Sequence, residues 1–199
     1  DIWPVDGPWA GQLAVCSRPR AGWFLDDDLR NLRLAGFRVL VSALTPEEVV
    51  LAELQRVPLA CEEAGLEFAH FPVGNLPVAP FERAHPHLTS WNDRLRSGDG
   101  IAVHCWASVG RGPTIAAALM VLGGIQPAEA WHRVRTARGR DCPDTGEQRS
   151  WIAQLALKHS DLRPREDLPG PGAADLGLTL GWEVILRPIG WHLPAESGS

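Results

Sequence analysis

The feature that most restricts the fold is a short apolar run, Ile101-Ala-Val-His104, that ends directly on Cys105. Gly98-Asp-Gly100 breaks the chain before it. A loop of residues 105–111 follows, and a helix is predicted from about Pro113 to Leu122. A short apolar run bounded by turn signals reads as a buried strand. A buried strand that feeds a loop and then a helix is the repeating unit of an α/β sheet. In such sheets ligands gather at the C-terminal strand ends, which is where Cys105 lies.

The rest of the chain repeats that alternation. Strands are predicted at 9–17, 37–42 and 66–71. Asp26, Asp27 and Asp28 open a helix, since acids favour the first turn, with Leu29, Leu32 and Leu34 as its apolar side and Gly36 as its cap. Thr45-Pro46-Glu47-Glu48 opens another, with Thr as cap and Pro at the first position. A helical piece through Cys61 to Gly65, then helices at 81–96, 127–138 and 145–159, complete the set. The fold class is therefore α/β, a largely parallel central sheet flanked by helices. The expected domain is 1–159. Composition shifts near Asp161 into Pro169-Gly170-Pro171-Gly172, so 160–199 reads as a C-terminal extension of linker plus docking segment. The apolar stretch Leu176–Leu186 within it is expected to dock on the domain or on a second subunit, which would give a homodimer.

Composition narrows the setting. Hydrophobic residues make up 45% of the 199, enough for a real core. No apolar run approaches the ~18 residues that cross a bilayer, so no membrane partner is expected. The net charge of −5 argues against a duplex nucleic-acid binder, which needs a basic face. The four cysteines, Cys16, Cys61, Cys105 and Cys142, form no CxxC pair, and His85-x-His87 is the closest histidine pair. No metal and no cofactor are therefore expected. A reduced, cytoplasmic setting fits the cysteines best, with one of them reactive. The Arg, Ala, Gly and Pro excess resembles coding bias in a GC-rich bacterial genome. Trp131, Trp151, Trp182 and Trp191 read as packing residues, and Arg133, Arg135, Arg138 and Arg140 as a solvated basic helix face or a rim that attracts a polyanionic substrate.

The loop Cys105-Trp106-Ala107-Ser108-Val109-Gly110-Arg111 carries the chemistry. Successive backbone N–H groups in such a turn can converge on one tetrahedral oxyanion, and the following helix N-terminus adds positive potential. Arg111 can add a planar fork of donors. The same field favours a thiolate at the base of the loop. A thiolate beneath a bound phosphate is a phosphoryl-transfer device: sulfur attacks phosphorus, and water later cleaves the thiophosphate. Such a site needs no divalent ion.

The His104-Cys105-x5-Arg111 pattern resembles the protein-tyrosine phosphatase superfamily, and most of all its compact dual-specificity-type bacterial members. The resemblance covers roughly residues 3–159 and includes Trp3-Pro4, Phe71-Pro72-Val73 and Thr145-x-Glu147-Gln148. It implies a cysteine-dependent phosphatase acting on phosphomonoesters, either a phosphotyrosine protein or a small phosphorylated metabolite. It implies Cys105 as nucleophile, Arg111 as phosphate clamp and residues 106–111 as the substrate-binding loop. His104 would tune the thiolate from outside the pocket, and Gln148 would help place the hydrolytic water.

Three positions depart from the family pattern. Ser108 stands where glycine is usual, so its side chain would crowd the loop or demand a different backbone angle. Gly112 stands where a hydroxyl usually follows the arginine. Asn75 stands where the acid-loop aspartate would fall, and asparagine cannot protonate a leaving alkoxide. Glu47, Glu48, Glu82 and Asp144 are candidate replacements for that acid. Glu47, Glu48 and Glu82 also read as helix-start acids, and Asp144 as a cap for the last helix. These departures leave an alternative open: a pseudophosphatase that binds a phosphorylated partner with little turnover.

Overall fold

The computed structural model describes residues 1–74 and 79–162. Asn75 and nearly all of the expected extension, with Trp182 and Trp191, lie outside the described residues. Five strands form one sheet: β1 (Ile2–Val5), β2 (Leu13–Cys16), β3 (Phe37–Ser42), β4 (Glu67–His70) and β5 (Gly100–His104). Their order is β1-β2-β5-β3-β4. All pairs are parallel except β1 with β2. The expected 9–17 strand is thus shorter than read, and its Pro/Gly-rich lead holds a separate edge strand. Pro4 sits on that edge, where a missing N–H costs the ladder nothing.

Helices cover both faces. On one side lie α1 (Leu25–Leu34), α2 (Pro46–Leu51) and α3 (Val57–Glu63). On the other lie α4 (Phe81–Arg96), α5 (Arg111–Leu122), α6 (Pro127–Arg138) and α7 (Gly146–Leu162). The predicted bounds of α4 and α6 agree with those observed. The two faces bury separate apolar clusters. One is built on Val15, Val41, Ile101, Val103, Leu119 and Met120, the other on Ala14, Leu29, Phe37 and Leu40. Alternate residues of β2 and β5 supply opposite clusters, as the two-residue period demands, and in β3 an irregularity between Phe37 and Val39 resets the alternation. Every residue of β5 is buried because it is the middle strand with both faces covered. Every residue of α5 is buried too, which is the pattern of a helix enclosed on all sides.

This architecture positions the site. β2, β3 and β5 run parallel, so Cys16, Ser42 and His104 bring three connections to one end of the sheet. Thr45 caps α2 in a reciprocal capping box with Glu48, as its sequence announced.

Candidate active site

The loop after β5 turns inward. Cys105, Ser108 and Gly110 are buried, Val109 is half-buried, and Trp106 and Ala107 face solvent. Among the described residues, no backbone N–H from Trp106 to Gly112 donates to a protein acceptor. Buried amides are almost always paired, so this run of free donors can receive an anion. Gly110 is the N-cap of α5, whose first-turn amides have no partner within the helix. Cys105 lies at the base: its Sγ is 3.7 Å from where a Cβ on Gly112 would stand.

Arg111 is held from behind. Its Nη1 donates to the carbonyls of Ala43 (3.2 Å) and Val73 (2.9 Å), and Nη1 and Nη2 each donate to Glu48 at 2.7 Å. A guanidinium has five N–H donors in a fixed fork. Spending the Nη1 edge on protein leaves Nε and the other Nη2 proton for the loop. Burial alone would lower the Arg111 pKa, but Glu48 and Cys105 outweigh it and push it above its ordinary value. Burial likewise opposes ionisation of Glu48, and the Arg111 fork with the Thr45 amide overrides it. Glu48 is therefore held below the usual carboxylate range and carries no proton to give at neutral pH. It is removed from the candidate acids and becomes the anchor of Arg111.

The other candidate acids separate by position. Glu47 is an exposed first-turn residue of α2. Glu82 pairs with Lys158 across 3.5 Å. Asp144 does not cap α7, because Thr145 Oγ1 takes the Gln148 amide at 3.3 Å. Instead the Asp144 carboxylate lies over the loop. A Cβ on Gly110 would come within 2.4 Å of Asp144 Oδ2 and 3.1 Å of Gln148 Nε2. A side chain at Gly110 would therefore have to displace the Asp144 carboxylate. Gln148 is buried at 3% exposure, and its Oε1 meets no protein donor among the described residues.

Ser108 adopts a left-handed backbone (φ 55°), the conformation glycine takes at no cost. Its hydroxyl donates to the Cys16 carbonyl at 2.5 Å, which ties the loop to β2. The side chain therefore staples the loop rather than crowding it. Arg138 does not belong to a solvated basic face. It is buried, donates from Nε to the Ser108 carbonyl at 2.7 Å and stacks on Trp3 at 3.5 Å. Arg133 is engaged instead with Glu129 (2.6 Å) and Arg135 with Asp141 (3.9 Å). Gly112 has room: the nearest atoms to an added Cβ are all 3.7 Å away. Thr114, whose hydroxyl returns to the Gly110 carbonyl at 2.9 Å, does not replace the missing one.

Sequence reasoning missed Arg18. It donates to the Trp106 carbonyl at 2.7 Å and lies 4.3 Å over the Trp106 ring. Arg18 follows β2, so the rule that ligands gather at strand ends would have found it. Burial pushes the Cys16 and Cys61 thiols up to about 12, which keeps both protonated at neutral pH. Among the described residues no cluster of three His, Cys, Asp or Glu side chains is arranged to hold a metal.

His104 is fully buried beneath the loop, with neither ring nitrogen in a hydrogen bond to protein. Burial lowers its pKa to about 4, which the adjacent Cys105 backbone only partly offsets. It is neutral at pH 7, so its influence on the loop is through position and dipole rather than charge. A histidine depressed in the fold from 6.5 leaves the unfolded chain as the better proton acceptor. Stability is therefore full above pH 6.5 and falls as pH drops toward 4. At pH 5 the loss from this group is roughly 2 kcal/mol. Urea unfolding at pH 7 and pH 5 should show it, and His104→Gln should flatten the difference; an unchanged pH dependence would count against the buried neutral ring.

No family model and no curated protein matches the chain by sequence. Solved structures do match by fold. A kinase-associated phosphatase with its catalytic cysteine replaced by serine is 16% identical, covers 80% of this chain and 96% of its own, and gives a TM-score of 0.73. Tk-PTP in its active form is 23% identical over 74% of this chain and 93% of its own, with a TM-score of 0.62. A variant of human DUSP28 is 18% identical over 79% and 97%, with a TM-score of 0.60. By this likeness the chain has the protein-tyrosine phosphatase fold of the dual-specificity type.

Proposed function

We propose that the protein is a cysteine-dependent phosphatase that hydrolyses phosphomonoesters through a phosphocysteine at Cys105. The observation that carries this reading is the run of unpartnered loop amides from Trp106 to Gly112, closed by Cys105 below and Arg111 beside it. The amides and the free edge of Arg111 bind three phosphate oxygens. The Cys105 thiolate attacks phosphorus as the ester oxygen departs with the bonding pair. Asp144 is the first candidate to supply that oxygen with a proton, because its carboxyl group stands against Gly110 of the loop and is not spent on Arg111 as Glu48 is. Gln148 then orients a water, Asp144 takes its proton, and attack on phosphorus releases inorganic phosphate and the thiolate.

Turnover of p-nitrophenyl phosphate, with trapping of a Cys105 phosphothioester, tests this reading. Stoichiometric phosphate binding without turnover would favour the pseudophosphatase.

The departures at positions 75 and 112 predict a slow enzyme that can be improved. Gly112→Ser fits without displacement, since its Cβ meets nothing closer than 3.7 Å, Cys105 Sγ included. Its hydroxyl would stabilise the departing thiolate. Asn75→Asp would restore a carboxyl to the acid loop. Together they should raise aryl phosphate turnover about tenfold or more, because one positioned acid is worth roughly 10²–10⁴. Asp144→Asn in the parent should cost a similar factor, most of all for alkyl leaving groups. If Asp144→Asn changes nothing and the double variant gains nothing, neither carboxylate is the acid.

A further inference from the structure

A groove of about 520 Å³ opens beside the loop. Trp106, Ala107 and Ser108 form one wall, and Arg18, Arg20 and Leu51 contribute to the others. Its volume is in the range of small-molecule sites. The charges facing it are Arg18, Arg20 and Glu53. Arg20 is neutralised: it grips Asp28 at 2.6 and 3.1 Å and stacks on Phe24. Glu53 is exposed, where water screens it.

Arg18 is different. It forms no ion pair among the described residues, and a single N–H reaches a protein acceptor, the Trp106 carbonyl. That bond and the stacking on Trp106 fix the guanidinium plane, so little freedom is lost when a ligand binds. A fixed, half-buried, unpaired guanidinium at the edge of an anion loop is a second oxyanion site. Leu51, Ala52 and Pro19 supply apolar surface for the body of a ligand between the two.

We infer that the physiological substrate is a small phosphomonoester carrying a second oxyanion, a phosphate or carboxylate, which Arg18 receives while the loop holds the scissile phosphate. This rests on the phosphatase reading for the first subsite but is tested apart from turnover. The Cys105→Ser full chain is titrated by calorimetry with straight-chain α,ω-alkanediol bisphosphates of two to six carbons and with the matching monophosphates. At the best length the bisphosphate should bind about tenfold tighter, as one charge-assisted contact is worth. Arg18→Gln should bring that ratio close to one, Arg18→Lys should keep part of it, and Arg20→Gln should leave it unchanged. Equal binding of bis- and monophosphates at every length, or a ratio unmoved by Arg18→Gln, overturns the second subsite. A doubly phosphorylated peptide that gains more from Arg18 than any diol overturns the small-molecule assignment. Failure of the parent chain to turn over p-nitrophenyl phosphate, with these ratios intact, would overturn the phosphatase reading alone.

Discussion

Cys105→Ser abolishes turnover of p-nitrophenyl phosphate and leaves phosphate binding largely intact: that is the result with the largest expected effect. The loss should be on the order of 10⁴ or more, as for other covalent nucleophiles. Serine keeps the shape at a position buried to 2%, so the amide run is not disturbed. What it lacks is the sulfur nucleophile. The other three cysteines cannot stand in, because all are buried and burial raises each of their pKa values. Arg111→Lys should also be severe, about 10²–10³ in kcat, as for the loss of one fixed oxyanion donor. A lysine is a point charge and cannot serve Glu48 on one edge and phosphate on the other. Steady-state rates and vanadate titration read the two effects separately. Near-parental turnover by the serine variant would sink the nucleophile assignment.

Glu48→Gln should cost both stability and rate. Glu48 and Arg111 form a two-pronged pair at 2.7 Å, with side chains 15% and 4% exposed. Removing one partner of a buried pair strands the other charge, at about 3–5 kcal/mol when burial is complete. Glutamine retains one acceptor, and Glu48 keeps some contact with water, so about 2–3 kcal/mol is expected here. Glutamine can still accept from Arg111 but presents one oxygen instead of two, so the guanidinium loses its fixed plane. Turnover should then fall about 10–100-fold through kcat, with no selectivity for the leaving group. A general acid would behave differently: its loss would penalise alkyl esters most and remove one limb of the pH–rate profile. Retention of stability together with loss of that limb would return Glu48 to the role of acid. The pair should survive mild acid, because Glu48 ionises below the ordinary range and its contribution is lost only as pH falls through that lowered value.

The strand–helix alternation, the parallel sheet and the position of the reacting loop were legible in the sequence because each rests on local chemistry. The apolar runs at 37–42 and 101–104, each preceded by glycine, read as buried strands, and the structure makes them so. Thr45-Pro46-Glu47-Glu48 specifies its own capping box. The His104-Cys105-x5-Arg111 order fixes which backbone amides follow the thiol. What the sequence could not decide was which side chains from other strands meet that loop. Glu48 reads as a helix-start acid until β3 lies beside β5 and carries it 2.7 Å from Arg111. Arg138 reads as part of a solvated face until α6 turns it onto the Ser108 carbonyl. Arg18 lies just past a predicted strand, but only the parallel pairing of β2 with β5 brings it to Trp106. Contacts across 30 to 88 residues of chain are set by the order of strands in the sheet, which depends on how all the apolar faces are buried together. Local pattern therefore determined the candidate nucleophile and its loop, and tertiary packing decided what holds the loop, what keeps its arginine in place and what stands at its edge.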